Sequence, residues 1–418
     1  MSKVVRLPQY KWSDHEREVE YHLPDSWDVT TYNFAGANRP VLSPAQIKAA
    51  ITTPIGSPRL KDIARGKKNV VIIFEDMTRP ARLSRVVPVL LEELAEANIK
   101  NDQIEFICAN GTHQNWTLDD FKKKLGADIP SRFLVFNHCP FMNCTPLGKT
   151  SYGTRVEVNT EVMSCDLKIT LSGNLMHGSY GISGGGKTVM PGVSSYDAIA
   201  EHHMLTHKTF QQNRKQAGFV NERGFAQGNS MALDAMEMAK MVGIDFSVNL
   251  MQNNWGEPVA IFAGALEPAY WAAVEDAKPH FQVSCPKDND IVIANTFAKA
   301  NEAFVVFNDG VQYVKPSGGS LIIITNVSSG QLVHHLYSAF GKNIGGRSWS
   351  PSYRLAIPGN VNHFIFYSEF PEAKLLDTIA EKDRAKVSYL VNWTDVVLSL
   401  QNWHGDNVKV AVLTDNTI

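Results

Sequence analysis

The chain is built around short, continuous apolar runs, each followed by a segment with helical periodicity. Asn69 to Glu75 (NVVIIFE) is one such run of strand length, and the absence of polar alternation is typical of a strand buried on both faces of a parallel sheet. Residues 85–97 then place apolar side chains at helical spacing, and residues 103–109 form the next apolar run. A helix capped by Thr117 precedes another strand over 133–137. This alternation predicts an α/β fold with parallel strands and right-handed crossovers.

A second series of strands and helices starts after a polar break at Cys285 to Asp288. We therefore predict two domains, each a mostly parallel sheet flanked by helices: an N-terminal domain over 1–280 and a C-terminal domain over 281–405. Residues 406–418 form a terminal strand, and the sequence leaves open whether it returns to the N-terminal domain. Strands are expected over 155–160, 166–171, 246–251, 259–263, 290–295, 320–326, 363–368 and 407–414. Helices are expected over 43–52, 57–64, 226–241, 267–276, 300–314, 331–340, 371–380 and 394–401.

Composition narrows the possible partners. The 418 residues suffice for two or three domains with an ample core. Because 40 Lys and Arg balance 42 Asp and Glu, no extended basic face favours nucleic acid as a partner. The N-terminus lacks the apolar core of a signal peptide, and apolar runs such as residues 86–91 are too short to cross a bilayer. The expectation is a cytoplasmic protein that binds neither nucleic acid nor membrane.

The five cysteines are odd in number and scattered, which argues against a disulfide framework. His138, Cys139 and Cys144 lie close together in sequence, but they lack the paired CxxC spacing of a zinc site. We expect these cysteines to be buried small hydrophobic residues, with a metal site as the less favoured alternative.

The stretch from His177 to His203 carries most of the chemistry. Gly184 to Gly186 have no Cβ, so their backbone can approach a bulky ligand closely. Lys187 adds a mobile cation directly after them, and the stretch closes on two adjacent histidines, His202 and His203. A ligand-binding loop followed by a helix is therefore expected here.

One interpretation of this loop is a phosphate loop, because Gly181 to Thr188 (GISGGGKT) matches the pattern GxxxxGK[ST]. Such a loop needs a strand running directly into it and a helix starting at the lysine. The strand predicted over 166–171 stops well short of Gly181, and Pro191-Gly192 interrupts any helix that begins at Lys187. A P-loop-like protein that binds or hydrolyses ATP is therefore the alternative function.

Four separated motifs occur in a fixed order. They are Asp76-x-Thr78-Arg79-Pro80, then Gly111-Thr112-His113, then His177 ten residues before Lys187 in a Ser-Gly-Gly-Gly-Lys loop followed by Pro191-Gly192, and His203 sixteen residues after Lys187. In this order and at these separations they closely resemble the nickel-pincer lactate racemase family. The resemblance runs through most of the N-terminal domain. It implies a two-domain α/β enzyme with its active site in the interdomain cleft, which interconverts the stereoisomers of 2-hydroxy acids.

The resemblance also implies a cofactor, nickel(II) pyridinium-3,5-bisthiocarboxylate mononucleotide (the nickel-pincer nucleotide), and with it cofactor-biosynthesis enzymes as partners. His203 is then the one protein ligand of the nickel, which is chemically sensible because a neutral imidazole suits Ni(II). Lys187 holds the cofactor, either by charge or by a covalent bond. Asp76 and Thr78 lie along the nucleotide, and Arg79 lies beside both cofactor and substrate.

In the chemistry that the resemblance implies, a hydride leaves the substrate carbon and returns to the opposite face of a 2-keto acid intermediate. A base on each side handles the hydroxyl proton, and the match assigns these roles to His113 and His177. Histidine suits them because its unperturbed pKa is about 6.5. The cofactor carries the hydride step. Arg79 grips the substrate carboxylate in a planar two-point contact.

The C-terminal domain departs from the family pattern. Lactate-specific members carry a Tyr-Gln pair and a lysine that help to bind the substrate carboxylate, whereas residues 295–304 contain no Tyr-Gln pair and Lys299 is displaced. We expect Asn295 and Lys299 to contact the substrate in their stead, the alternative being a solvated lysine at a helix start. The departure leaves open whether lactate is the substrate. Trp349 is expected either to line the cleft or to serve packing.

Overall fold

The computed structural model describes residues 2–213, 226–336, 355–370, 376 and 379–417. Trp349 lies outside these ranges, as do residues 337–340 of the helix predicted over 331–340 and most of the helix predicted over 371–380. The chain divides into two compact units. The first unit is Gly36–Phe281, and the second unit is Met1–Ala35 together with Gln282–Ile418.

The helices and strands are numbered in chain order. The strands are β1 (Ser2–Gln9), β2 (Arg17–Pro24), β3 (Asp28–Tyr32), β4 (Val70–Glu75), β5 (Ile104–Ala109), β6 (Leu134–Asn137), β7 (Cys144–Lys149), β8 (Arg155–Asn159), β9 (Leu167–Gly173), β10 (Met176–His177), β11 (Gly181–Ile182), β12 (Phe246–Gln252), β13 (Pro258–Gly264), β14 (Ile291–Asn295), β15 (Gly319–Ile324), β16 (Val361–Tyr367), β17 (Val387–Leu390) and β18 (Lys409–Leu413). The α-helices are α1 (Pro44–Thr52), α2 (Leu60–Ile63), α3 (Val87–Glu96), α4 (Leu118–Leu125), α5 (Ile129–Arg132), α6 (Thr160–Ser164), α7 (Tyr196–Asn213), α8 (Ser230–Val242), α9 (Leu266–His280), α10 (Phe307–Val311) and α11 (Trp393–His404).

The first unit contains a six-stranded sheet in the order β13-β12-β9-β4-β5-β6. Neighbouring strands from β12 to β6 are parallel, and β13 joins the edge antiparallel to β12. Every residue of β4 and of β12 is buried, as expected for central strands covered on both faces. The carboxyl ends of β4, β5 and β9 therefore lie side by side at one edge of the sheet.

The second unit contains a six-stranded sheet in the order β17-β16-β15-β14-β18-β3, in which all neighbours are parallel. Successive residues of β14 alternate between two apolar clusters. Val292 and Ala294 pack in one cluster with Phe307 of α10, whereas Ile291 and Ile293 pack in the other cluster with side chains of β1, β2 and α11. Both faces of this sheet are therefore covered, which is the condition for an all-parallel sheet.

The predicted α/β class with mostly parallel sheets flanked by helices is confirmed. Local signals placed several helices well: Ser43 and Gln46 form the capping box of α1, and Thr117 and Asp120 form that of α4. Among the described residues, no helix combines the length and the apolar character that a membrane crossing requires.

Other predicted elements differ from the structure. The helix expected over 300–314 is a 3-10 helix over Ala300–Val306 with a kink at Glu302, followed by the short α10. The side chain of Gln331 accepts a hydrogen bond from the N–H of Ala303 and donates one to the carbonyl of Ala300, so another segment satisfies these backbone groups. The helix predicted over 57–64 is only the single turn of α2.

The division into units differs from the predicted domains at both ends of the chain. Residues 1–35, which were assigned to the N-terminal domain, belong to the second unit. The terminal strand β18 pairs with β14 and β3, so it lies inside the sheet of the second unit and does not return to the first. The sequence missed this arrangement because β3 and β18 are short strands whose partners lie far away along the chain.

Candidate active site

The predicted site residues of the first unit follow the carboxyl ends of adjacent parallel strands. Asp76, Thr78 and Arg79 come directly after β4, and His113 comes shortly after β5. In open α/β sheets, this edge is where ligands bind. The sheet order alone therefore brings these four side chains to one place.

Asp76 and His113 form a hydrogen-bonded pair. The Nδ1–H of His113 donates to Oδ2 of Asp76 over 2.6 Å, while Oδ1 of Asp76 accepts from the backbone N–H of Thr78 at 2.9 Å and from its hydroxyl at 2.5 Å. The pair fixes the proton of neutral His113 on Nδ1 and leaves the lone pair on Nε2. A carboxylate thereby fixes the orientation and the tautomer of the His113 ring, a role for Asp76 that the sequence did not reveal.

The pKa of Asp76 shows that this carboxyl is ionised. Burial by itself raises the pKa, but the charge and hydrogen bond of His113, the charge of Arg79 and the hydrogen bond of Thr78 outweigh burial and hold the pKa well below its ordinary value. A permanently charged carboxylate favours positive charge on the ring it contacts. The pair can therefore stabilise His113 after the ring has accepted a proton.

Arg79 is tied to the same turn. Its Nη1 donates to the hydroxyl of Thr78 at 2.7 Å and to the carbonyl of that residue at 3.1 Å. Behind it, the fully buried ammonium of Lys124 donates to the carbonyl of Arg79 and to Oε1 of Glu75, each over 2.8 Å. The other oxygen of Glu75 accepts from the N–H of Gly173 at 2.7 Å. This buried ion pair joins the end of β9 to the turn that carries Asp76 and Arg79.

The glycine run packs closely against neighbouring helices. A Cβ at Gly186 would lie 2.6 Å from the backbone of Ala235 in α8, and one at Gly185 would lie 2.7 Å from the ring of Tyr270 in α9. The glycines therefore let the loop pack directly on protein, and the expected close approach of a ligand stays a prediction. Gly184 and Gly185 also adopt positive φ values of 99° and 53°.

The same loop does not have the form of a phosphate loop. Its N–H groups are used within the protein: that of Gly185 donates to Oδ1 of Asn249 at 3.0 Å, and that of Lys187 donates to the carbonyl of Gly184 at 3.1 Å. A 3-10 turn covers Gly185–Thr188, and the next α-helix starts only at Tyr196. The ATP-binding alternative is therefore not favoured.

His177 and Lys187 both contact the ring of Tyr180. The ammonium of Lys187 lies 4.7 Å from the centre of this ring, and the imidazole of His177 meets it edge to face with centres 5.3 Å apart. Nδ1 of His177 accepts the N–H groups of Ser179 at 3.2 Å and of Tyr180 at 3.3 Å. In the neutral ring this places the proton of His177 on Nε2.

The hydrogen bonding of His203 fixes which ring nitrogen carries its proton. Its Nδ1–H donates to the carbonyl of Ile199, one helical turn earlier in α7, over 2.7 Å. The lone pair of the neutral ring is therefore on Nε2, the arrangement usual for a histidine that binds metal. Burial, together with the charge of neighbouring His202, lowers the pKa of His203 to about 3, so the ring is neutral.

A buried chain of hydrogen bonds behind the loop was missed by the sequence analysis. Nδ1–H of His202 donates to Oδ2 of Asp234 over 2.6 Å, and its Nε2 is hydrogen-bonded to the hydroxyl of Tyr180. Asp234 also accepts from the hydroxyls of Thr150 and Thr154. The only sequence signal was the proximity of His202 and Tyr180 to residues already singled out.

The structure brings the predicted residues of the first unit together in linked groups. Asp76, Thr78, Arg79 and His113 are joined by hydrogen bonds. The charges of Lys187 and His113 both lower the pKa of His203, so these groups lie within electrostatic range of one another. Among the described residues there is no group of three or more His, Cys, Asp or Glu side chains suited to a metal ion.

Asn295 and Lys299 lie in the second unit. The amide of Asn295 donates to the carbonyls of Pro8 at 3.0 Å and Thr414 at 2.8 Å, and its oxygen accepts from Gln9 at 2.7 Å. Both donors are thus used within the protein, and only acceptor capacity remains for a substrate. Lys299 is not the solvated lysine of the alternative interpretation, because it is largely buried and paired with Glu302 over 2.7 Å.

The cluster near His138 is structural. Nε2–H of His138 donates to the carbonyl of Ser194 at 2.8 Å, and Nδ1 accepts from Asn159 at 3.1 Å. All five cysteines are free thiols. Cys139 is exposed and Cys144 is half-buried, so the expectation that both are buried was wrong. The reason is that the segment between β6 and β7 lies at the surface, where Phe141 and Met142 are also exposed.

Comparison with known proteins finds similarity to lactate racemases. Residues 15–217 match the family described as lactate racemase N-terminal domain. The chain is 31% identical over 251 residues to a lactate racemase of Thermoanaerobacterium thermosaccharolyticum, an alignment that covers 60% of this chain and 57% of the relative. It is 26% identical over 299 residues to a lactate racemase of Lactiplantibacillus plantarum, covering 68% of this chain and 66% of the relative.

Two solved structures share the fold. The lactate racemase apoprotein of Thermoanaerobacterium thermosaccharolyticum superposes with a TM-score of 0.73 at 21% identity and covers 99% of both chains. A crystal structure of a protein from Thermotoga maritima gives a TM-score of 0.64 at 17% identity, covering 92% of this chain and 98% of that one. The sequence match spans the motifs from Asp76 to His203, and the fold match spans the whole chain. The first half of the chain is therefore similar to the N-terminal domain of lactate racemases, and the whole chain shares the fold of a solved lactate racemase apoprotein.

Proposed function

We propose that this protein is a nickel-dependent racemase or epimerase of a 2-hydroxy acid, an isomerase that uses the nickel-pincer nucleotide. The observation that carries the proposal is the Asp76–His113 pair at the carboxyl edge of the sheet, since it provides an oriented base beside Arg79. The curated relatives at 31% and 26% identity are both lactate racemases, which supports the same chemistry. Cofactor-biosynthesis enzymes are then required partners.

The residues present fit the cofactor. His203 offers a neutral imidazole with its lone pair on Nε2, fixed by the hydrogen bond to Ile199, which is the donor that Ni(II) accepts. One imidazole is a single ligand, so the cofactor would have to supply the other ligands of the nickel. Lys187 provides a cation or an amine at the place where the cofactor is to be held. When bound, the cofactor supplies the acceptor of the substrate hydride.

The protein's own contribution is to position the substrate and move its hydroxyl proton. Arg79 binds the carboxylate of the acid, because a guanidinium matches a carboxylate in two parallel hydrogen bonds. Nε2 of His113 takes the proton from the hydroxyl as the carbon becomes a planar keto centre. Asp76 stabilises the imidazolium that results, as its ionised carboxylate accepts the Nδ1–H.

His177 serves the opposite face in this scheme. Its neutral ring carries the proton on Nε2 and uses Nδ1 to accept two backbone N–H groups, whereas the ring of His113 carries the proton on Nδ1 and has its lone pair on Nε2. In each turnover one neutral imidazole gains the hydroxyl proton, and the other, which must start as an imidazolium, returns a proton to the keto oxygen. The two rings must therefore exchange protonation states before the next substrate of the same hand is converted.

The substrate is proposed only as a class. Lactate is the first acid to test, because both curated relatives are lactate racemases. Residues 295–304 lack the Tyr-Gln pair of lactate-specific members, and the donors of Asn295 are used within the protein. Lys299 is then the remaining positive group of that segment for a carboxylate, and acids larger or more polar than lactate belong in the same screen.

The test is nickel content and racemisation in protein produced together with the cofactor-making enzymes. We expect one nickel per chain and loss of optical rotation from a pure 2-hydroxy acid. His203→Ala should lose the nickel with an unchanged circular dichroism spectrum, and the neighbouring Met204→Ala, whose side chain is partly exposed, should retain it. Stoichiometric nickel in His203→Ala would remove the assigned ligand.

The same preparation tests the alternative. A P-loop protein would hydrolyse ATP with magnesium and lose that activity in Thr188→Ala. Thr188 is buried and its hydroxyl faces that of Ser172 at 3.4 Å. We therefore expect no magnesium-dependent ATP turnover, and a metal-free preparation that hydrolyses ATP would overturn the proposed function.

A further inference from the structure

We infer that Tyr180 is a positioning residue of this site, whose ring holds the ammonium of Lys187 and the imidazole of His177 in place. This inference deepens the proposed function and rests on it for the roles of Lys187 and His177. It assigns a task to a residue that lies outside the four motifs of the family resemblance.

The ring of Tyr180 is the common contact of the two side chains. Lys187 places its ammonium 4.7 Å from the ring centre, within the range of a cation–π attraction. His177 meets the ring at an interplanar angle of 89°, with centres 5.3 Å apart. Tyr180 also donates its backbone N–H to Nδ1 of His177 at 3.3 Å. One residue therefore touches both the expected cofactor anchor and one expected base.

The ring itself is held from behind. Its hydroxyl is hydrogen-bonded to Nε2 of His202 and to the carbonyl of Met190, the latter at 3.2 Å. His202 is in turn bonded to Asp234 over 2.6 Å. Asp234 is fixed by the hydroxyls of two threonines that flank the turn between β7 and β8. All side chains in this series of hydrogen bonds are buried, so the ring of Tyr180 has little freedom to rotate or move away.

The arrangement matters most for Lys187, because a lysine side chain is long and flexible. A free ammonium would sample many rotamers, and each must be given up when the cofactor binds. A buried aromatic face restricts the ammonium to one region before binding, which lowers the entropic cost of holding the ligand. Loss of the ring should therefore weaken retention of the cofactor and its nickel while the apoprotein stays folded.

The contact between Tyr180 and Lys187 is measurable without any cofactor. Protons that lie over an aromatic face shift upfield, so in apoprotein labelled with ¹³C at the lysine ε carbon the Lys187 signal should be displaced from the other lysines. Lys187→Arg identifies the signal by its absence. We expect the displacement to persist in Tyr180→Phe, which keeps the ring, and to vanish in Tyr180→Leu.

Nickel retention in the loaded protein gives the second readout. Tyr180→Leu should release nickel at least about tenfold faster than the wild type, the order of effect of a cation–π contact, and Tyr180→Phe should lie between the two. The matched control is Tyr270→Phe. Tyr270 packs on the same loop, and its hydroxyl donates to the carbonyl of Ile182 at 2.9 Å. Removal of this hydroxyl in Tyr270→Phe should change neither the Lys187 signal nor nickel retention.

The outcomes separate this inference from the proposed function. An undisplaced Lys187 signal in the wild type overturns the inference, and so does wild-type nickel retention in Tyr180→Leu. If Tyr180→Leu does not fold, the Lys187 signal in the wild type and in Tyr180→Phe still tests the inference. Absence of nickel from wild-type protein overturns the proposed function, whereas the Lys187 signal still reports on the contact.

Discussion

The two sheets carry the same three-residue turn at their carboxyl edges, and the comparison shows how different partners give the two aspartates different pKa values. Asp76-Met77-Thr78 follows β4 in the first unit, and Asp415-Asn416-Thr417 follows β18 in the second. In both turns, the threonine donates its N–H over 2.9 Å, and also its hydroxyl, to Oδ1 of the aspartate. Both aspartates are buried.

The difference lies at the second oxygen. Oδ2 of Asp76 accepts from His113, and Arg79 lies nearby, so the pKa of Asp76 is well below its ordinary value. Oδ2 of Asp415 accepts from the backbone N–H of Ala298 at 2.8 Å, and burial raises the pKa of Asp415 to about 6. The turn fixes where the carboxyl group lies, and the partner of the other oxygen sets its charge. The charged partner suits the turn at Asp76 to the proposed reaction, whereas the backbone partner suits the turn at Asp415 to a structural role.

The largest expected effect comes from removing the negative charge of Asp76. In Asp76→Asn the amide nitrogen cannot accept the Nδ1–H of His113. The tautomer of the His113 ring is then no longer fixed, and its positive charge is no longer stabilised. We expect kcat for racemisation to fall by about 10³-fold or more, as for the aspartate of a Ser-His-Asp triad. The control Asp415→Asn should leave kcat close to that of the wild type. Equal losses in both variants would erase the distinction between the turns.

The second effect concerns the free energy of unfolding, because the carboxyl edge of the sheet in the first unit carries another buried acid beside Asp76. Lys124→Met removes the ammonium that neutralises Glu75 and leaves this buried carboxylate hydrogen-bonded to the N–H of Gly173. Burial already raises the pKa of Glu75 and lowers that of Lys124. The free energy of unfolding should drop by about 3 to 5 kcal/mol, measured by urea denaturation.

Two further variants sharpen this measurement. The double variant Glu75→Gln/Lys124→Met should recover much of the loss, since no uncompensated buried charge remains. Lys122→Met in the same helix removes an exposed lysine paired with Asp119 and should change stability little. A Lys124→Met protein as stable as Lys122→Met would show that the buried pair does not support the edge.

The two turns should also respond to pH in opposite directions. The folded pKa of Asp415, about 6, lies above the unfolded value of about 3.9, so between these values the native state binds more protons. The stabilisation that Asp415 contributes to the folded state is therefore almost complete near pH 4. It falls by about 2 to 3 kcal/mol as the pH rises through 6. For Asp76 the folded pKa is depressed, so its contribution is present above pH ~4 and is lost as the pH falls.

The pH dependence is measured by comparing wild type with Asp415→Asn in thermal unfolding between pH 4 and pH 7. The difference between the two proteins should change across this range, and the ¹³C signal of the Asp415 carboxyl should titrate near pH 6. A carboxyl signal that titrates near its ordinary value of about 3.9 would contradict the assignment of charge.

The smallest effect is expected at the carboxyl edge of the sheet in the second unit. Asn295→Ala removes three hydrogen bonds that join β14 to Pro8, Gln9 and Thr414. We expect a loss of about 1 to 3 kcal/mol in the free energy of unfolding, the cost of leaving buried groups unpaired. KM for the substrate should change little. A large rise in KM with unchanged stability would instead place Asn295 at the substrate.

The sequence predicted the α/β class and the strands β4, β5 and β9 because central parallel strands are continuous apolar runs. It also named the residues after those strands, since motif spacing and a family resemblance both act on local sequence. It missed the pairing of Asp76 with His113, because that contact depends on β4 and β5 being neighbours in the sheet. The likeness between the turns at Asp76 and Asp415 became evident only once both carboxyl edges were known.

The same limit applies to the units and to the glycine loop. Residues 1–35 join the second unit through the pairing of β3 with β18, a contact between opposite ends of the chain. Gly184 to Gly186 fit a ligand cradle and a packing surface equally well, and only the positions of α8 and α9 distinguish the two. Long-range packing, which local patterns do not encode, accounts for these differences.

The contact between Gly186 and the backbone of Ala235 has a mechanical consequence. With no side chain between them, the segment before Lys187 rests directly on the middle of α8, so any shift of that helix is transmitted to the lysine. Bulky substitutions at Ala235 should displace the lysine without touching it, and compensating changes should accumulate within α8. The close packing of the loop therefore constrains the middle of α8 as well as the loop itself.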